Sequence, residues 1–264
     1  MSRRRLVVAT VLLALAAGGG ALAQPPQGIV RPSGEASRPL VELGSQLYAG
    51  NCASCHGIDG RGVYPPHAQN GAGNVKGMGP SLRGVGAQAV DFYMRTGFMP
   101  LGDAREQPYR RRVLFSDREI RAITAYVASL SKGPPIPRPD PTTGNVAQGL
   151  QLFTEHCAGC HQVAAEGGYV PDARVPLIKQ DSSTEIAEAV RVGPYVMPKF
   201  SPKAIPDHEL NSIIAYVNSA KHPADRGGWG IGHIGPVPEG LVAWVIAAIV
   251  LVGTCAAIGK RLNA

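Results

Sequence analysis

Two near-identical pentapeptides, "CASCH" at 52–56 and "CAGCH" at 157–161, constrain this chain more than any other feature. Each places two thiols three positions apart with an imidazole on the next residue. On one turn of helix, positions i and i+3 share a face, so both sulfurs can reach one object from a short segment. The surroundings repeat as well. "GSQLY" (44–48) precedes the first pentapeptide and "GLQLF" (149–153) the second. Each half later carries a Met-Pro step and then a helical pattern, "SDREIRAITAYVASL" (116–130) or "PDHELNSIIAYVNSA" (206–220). Self-similarity over this length means two copies of one structural unit in tandem.

Three chemistries compete for a C-x-x-C-H. A redox disulfide would need alternating strands and helices, which the chain does not show. Zinc would need four ligands at short spacing, and the next cysteine pair is about 100 residues away. The third is covalent attachment of haem c, in which the two cysteines form thioethers with the macrocycle and the histidine ligates the iron. Two such motifs predict two covalently bound haem c groups, on Cys52 and Cys55 and on Cys157 and Cys160, with His56 and His161 as proximal ligands. The fifth cysteine, Cys255, lies in an apolar run and reads as a small packing residue.

The sixth ligand decides between electron transfer and ligand binding: a His/Met pair makes a carrier and raises the potential. Met197, in "VGPYVMPKF", stands 36 residues past His161 and is the only methionine of the second half. In the first half Met99, 43 residues past His56 in "RTGFMPL", repeats the Met-Pro pattern; Met94, near the end of a short helix, and Met78 are its alternatives. Pro80 and Pro176 are candidates for the carbonyls that orient the proximal imidazoles. Tyr126 and Tyr216, on the terminal helices, are candidates to reach the haem edge. These helices open on Ser116 and Asp207 as N-cap signals, and their apolar stripes (Ile120, Ile123, Val127; Leu210, Ile213, Val217) predict packing on the first helix of their own half.

The expected fold is mainly α, and its two tandem units resemble class I cytochrome c domains, at 38–131 and 145–222, joined by a proline-rich, extended spacer at 132–144. Both chain ends are apolar. After Arg3–Arg5, residues 6–23 read as a signal peptide or N-terminal anchor, with Ala21-Leu22-Ala23 as a cleavage site. Residues 241–259 carry no charge and can cross a hydrocarbon core of ~30 Å as a transmembrane helix. Lys260 and Arg261 follow, which predicts a cytoplasmic C-terminus and haem domains on the outer side of the plasma membrane. The five basic residues at the ends account for five of the seven net positive charges, leaving +2 for the body. That is not a nucleic-acid footprint.

With these features in place, the chain resembles the dihaem cytochrome c subunit of the actinobacterial quinol–cytochrome c reductase (the cytochrome bcc complex). The resemblance covers nearly the whole length, through "GNCASCHG", "TGFMP", "EHCAGCH", "VMPKF" and "GHIGPVPEGLVAW". It implies an electron-transfer subunit without bond-making chemistry of its own, working with cytochrome b and Rieske iron–sulfur subunits. It also implies electron delivery to a haem–copper cytochrome oxidase. The alternatives are a dihaem cytochrome subunit of another membrane oxidase or reductase, and a dihaem sulfur-compound dehydrogenase with an open iron position.

Overall fold

The structure, a computed structural model, describes residues 28–63, 79–102, 109–171, 173–221 and 236–262. The leader expected at 1–23 and the alternative ligand Met78 lie outside the described residues. The first half contains α1 (Leu40–Asn51), α2 (Ala53–His56), α3 (Gly86–Arg95) and α4 (Asp117–Leu130). The second contains α5 (Val146–His156), α6 (Ala158–His161), a hairpin of β1 (Gly168–Val170) and β2 (Ala173–Val175), then α7 (Ser183–Val192) and α8 (Asp207–Lys221). The C-terminal helix is α9 (Pro236–Leu262).

In each half the first and last helices cross at a glycine. A Cβ on Gly44 would stand 1.9 Å from the Ala122 carbonyl oxygen, and one on Gly149 1.9 Å from the Ser212 carbonyl oxygen. Only a residue without a Cβ lets the backbones approach this closely. Around the first crossing Leu43, Leu47, Ile123 and Val127 are buried; around the second Phe153, Leu210, Ile213 and Val217 are. Burying each such side chain contributes about 1.5–3 kcal/mol. An aromatic pair locks each crossing: Tyr48 with Tyr126 at 5.2 Å between ring centroids, Phe153 with Tyr216 at 5.3 Å. The expected packing of the terminal helices on the first helices is thus observed in both halves.

Helix starts follow local chemistry. Ser116 accepts from the Glu119 amide while the Glu119 carboxylate accepts from the Ser116 amide, a full capping box for α4. Ser182 and Glu185 do the same for α7, which Gly193 ends in the left-handed conformation. Asp207, expected as an N-cap, is instead the first helical residue, and its carboxylate pairs with Arg191 at 2.7 Å. An acidic group in the first turn favours the helix dipole equally well from there.

Two elements were not expected from sequence. One is the short antiparallel hairpin, in which Gly168 pairs with Val175 and Val170 with Ala173. The other is α7, whose importance lies in its partner: it packs against α3 of the first half. Arg110 of the first half reinforces the junction by pairing with Asp181 and, at 3.8 Å, with Glu185. The spacer is extended as expected, and the Pro134 carbonyl accepts from the Gln88 amide of α3 at 3.2 Å. Both halves belong to one compact unit, ending at Ala220.

The second unit begins at Lys221 and contains α9. Among the described residues α9 is the one helix long and apolar enough to cross a membrane, over Gly240–Leu262. Its 23 residues span roughly 35 Å at 1.5 Å per residue, which exceeds the ~30 Å hydrocarbon thickness. The expected span at 241–259 lies inside it.

Candidate functional site

Both pentapeptides fold the same way. The first helix stops at the leading cysteine, Cys52 or Cys157, each with φ −123°. The chain then turns tightly: the amides of Cys55 and His56 both donate to the Cys52 carbonyl, at 3.1 and 2.9 Å, and those of Cys160 and His161 donate to Cys157 at 3.1 and 2.9 Å. One helical turn thus gathers two sulfurs and an imidazole, as the spacing predicts. None of the four cysteines is in a disulfide. Burial, with the second cysteine adding to it, pushes the Cys52 thiol up to about 12 and the Cys157 thiol up to about 11.

The histidines are oriented from behind. His56 Nδ1 lies 2.8 Å from the Pro80 carbonyl oxygen, and His161 Nδ1 lies 3.3 Å from that of Pro176. A carbonyl oxygen only accepts, so Nδ1 must carry the proton and Nε2 keeps its lone pair. That is the tautomer an iron ligand needs. His161 is buried, and burial lowers its pKa, outweighing the Pro176 bond that acts the other way. Its imidazole stays neutral and ready to ligate.

Each motif opens into its own cavity. Tyr48, Cys52, His56, Pro80, Met94 and Met99 line the first; Phe153, Cys157, Cys160, His161, Pro176 and Met197 line the second. Counting the open mouths, the space free of protein atoms is about 1630 Å³ in the first and 1190 Å³ in the second. The residues present therefore fit haem c: thiols on one turn, a correctly protonated imidazole, a methionine on the wall, and mostly apolar lining.

The expected ligands sort as follows. Met197 lines the second cavity and packs against its core. In the first half Met94 and Met99 both line the cavity, but Met94 is 5% exposed and sits within the core cluster, whereas Met99 only packs against its edge. Tyr126 and Tyr216 are not among the lining residues; their partners Tyr48 and Phe153 are. The tyrosines of the crossing serve the loops instead: the Tyr48 hydroxyl donates to the Gly57 carbonyl at 2.7 Å, and that of Tyr216 to the Val163 carbonyl at 2.5 Å.

Sequence reasoning missed the way the halves complete each other's walls. Arg191, Val192 and Lys199 of the second half line the first cavity; Phe92, Phe98 and Arg110 of the first half line the second. No local pattern signals this, because it depends on α3 meeting α7.

Comparison with known proteins agrees with this geometry. The cytochrome c family model matches residues 41–131, and that of the cbb3-type cytochrome c oxidase subunit III matches residues 144–217. The chain is 36% identical over 270 residues to the cytochrome bc1 complex cytochrome c subunit of Mycobacterium tuberculosis, covering 98% of this chain and 92% of that one. It is 32% identical over 279 residues to the protein of the same name from Corynebacterium diphtheriae, covering 98% and 95%. A shorter match, 35% over 97 residues, is to the cbb3-type cytochrome c oxidase subunit FixP of Rhizobium meliloti, covering 36% of this chain and 29% of that one.

Proposed function

Since this chain belongs to the family of cytochrome bc1 complex cytochrome c subunits, whose role is cytochrome c electron transfer, we propose that it is a membrane-anchored dihaem relay. It would take electrons from a Rieske iron–sulfur protein beside cytochrome b and pass them to a haem–copper oxidase. The observation that carries the reading is the duplication itself: two motif turns, each with a thiol pair and an oriented histidine, each beside a cavity with a methionine on its wall.

Haem c, when bound, supplies reversible one-electron chemistry at its iron. The chain's residues do the rest. Cys52 and Cys55 would hold one group by thioethers and Cys157 and Cys160 the other, so that neither could diffuse away. His56 and His161 would ligate through Nε2, with the Pro80 and Pro176 carbonyls fixing the ring planes and raising ligand basicity. Met99 and Met197 would supply the sulfur ligands. The apolar walls exclude water and lower the local dielectric, which disfavours added positive charge at the metal. Helix α9 tethers the domains to the outer face of the membrane with its C-terminus in the cytoplasm, as Lys260 and Arg261 favour. Tethering keeps the effective concentration at the partners high without a tight encounter.

Affinity purification on this chain from membranes tests the reading. Cytochrome b, a Rieske protein and a haem–copper oxidase should co-purify, quinol should reduce both haems, and the reduced protein should bind no carbon monoxide. Carbon monoxide binding with no quinol reduction would favour the dihaem dehydrogenase instead.

A further inference from the structure

Glu188 is a buried acid at the junction. It lies on α7, is 0% exposed, and neither carboxyl oxygen has a hydrogen-bond partner among the described residues. A buried ionised carboxylate without a partner is strongly disfavoured. The charged groups that act on it are Asp91 and Arg95 of α3 and Glu185 of its own helix, and each is paired with another residue. Arg95 of α3 is held by Asp91 at 2.7 Å and by Asp117 at 2.9 Å. Arg110 is held by Asp181 and Glu185, and Arg191, on Glu188's own helix, by Asp207 at 2.7 Å. Burial pushes the Glu188 carboxyl up to about 8; Asp91 adds to this, Arg95 opposes it, and Glu185 adds again.

Its position is equally particular. The α3–α7 pair is the wall between the cavities. On α3, Val90 lines the first and Phe92 the second; on α7, Val190 lines the second and Val192 the first. Glu188 sits inside that wall. Glu185, one turn earlier on α7, is 15% exposed and pairs with Arg110.

Resting on the relay reading, we propose that Glu188 is a redox-linked protonation site serving both cavities: its carboxylate takes up one proton from solvent when an electron enters either cavity and releases it when the electron leaves. One O–H bond forms and breaks per cycle, the electron comes from and returns to the protein's one-electron partners, and no other co-reactant is needed. An added electron removes positive charge next to a low-dielectric wall, which favours the neutral carboxyl. By linkage, protonation makes reduction easier, so the midpoint potentials fall as pH rises through the titration of Glu188.

The test uses the haem-loaded full chain, with midpoint potentials against pH and reduced-minus-oxidised infrared difference spectra in H₂O and D₂O. In the wild type, poised at or just above pH 8 so that part of the oxidised protein carries the Glu188 carboxylate, a protonated-carboxyl C=O band should grow on reduction and shift in D₂O. Glu188→Gln should lose that band and hold pH-independent potentials at the wild type's acid-side value, because the amide is neutral throughout. Glu185→Gln should keep the band. An unchanged pH slope in Glu188→Gln, or no band in the wild type, overturns the proposal; the wild-type spectrum decides even if the variant does not fold. A chain carrying both haems with flat potentials sinks this inference alone, whereas a chain without covalent haem sinks the relay reading with it.

Discussion

The residue after each haem-motif histidine shows how the two halves differ. Gly57 leaves the first motif at φ 76°, ψ 152°; Gln162 leaves the second at φ 57°, ψ 158°. Glycine occupies that region freely, whereas a residue with a Cβ is strained there by about 1–3 kcal/mol. The tie on the following loop changes hands too. Tyr48 of α1 supplies the hydroxyl in the first half, and Tyr216 of α8 supplies it in the second, where Phe153 has none to give. The comparison teaches that the unit requires a fixed backbone exit and one hydroxyl on the loop carbonyl, while which residue meets each requirement is free. The halves also differ at the metal side: the imidazole is held at 2.8 Å in the first and 3.3 Å in the second, and only the second has a single candidate methionine.

If the halves are independent haem carriers, Cys52→Ser with Cys55→Ser should remove one covalent haem and leave the other, and Cys157→Ser with Cys160→Ser should do the converse. Intact-mass measurement checks both. Loss of both groups from either variant would show that the halves mature as one. The methionines come next. Met197→Ala and Met99→Ala should each open one iron to carbon monoxide, read from the reduced spectrum. Met94→Ala should instead cost about 2–5 kcal/mol as a core truncation, leaving both irons closed to carbon monoxide.

Gly44→Ala and Gly149→Ala should each destabilise by about 1–3 kcal/mol or more, since a methyl would meet a carbonyl oxygen at the crossing. Equal losses in denaturant titrations would confirm equivalent crossings. Gln162→Gly should stabilise the protein by about 1 kcal/mol by relieving the left-handed exit, while Gly57→Gln should destabilise it. The smallest effect concerns Glu119, whose partner in the first half is Arg31 at 2.6 Å. Burial alone would raise its pKa, but the Arg31 and Ser116 hydrogen bonds outweigh it and leave the carboxyl below its ordinary value. The folded pKa lies below the unfolded one, so the contribution is present above the unfolded value and lost as pH falls through the folded one. Arg31→Ala should therefore reduce the melting temperature at neutral pH and not below the folded value.

The haem-binding turns, the repeat, both terminal helices and the apolar C-terminal helix are legible in sequence because each is a local pattern. Two thiols and an imidazole on one turn need no distant residue to be recognised. The carbonyls of Pro80 and Pro176 were also readable, as prolines following the motif. What escaped depends on surfaces meeting. In "STEIAEAVRV" Glu188 looks like any solvated helix charge; only packing against α3 buries it. The hairpin at 168–175 is too short to show a period. Tyr48 and Phe153, not Tyr126 and Tyr216, line the cavities, and only the helix crossing decides which ring of each pair does so.

The central claim is that both halves hold their own thioether-bound haem. The intact mass of the protein purified from membranes under denaturing conditions tests it most directly. The account predicts the polypeptide plus two haem masses, with each surviving at the Cys52–Cys55 or the Cys157–Cys160 peptide after digestion. A mass equal to the bare polypeptide, or two haems on one peptide and none on the other, would contradict it.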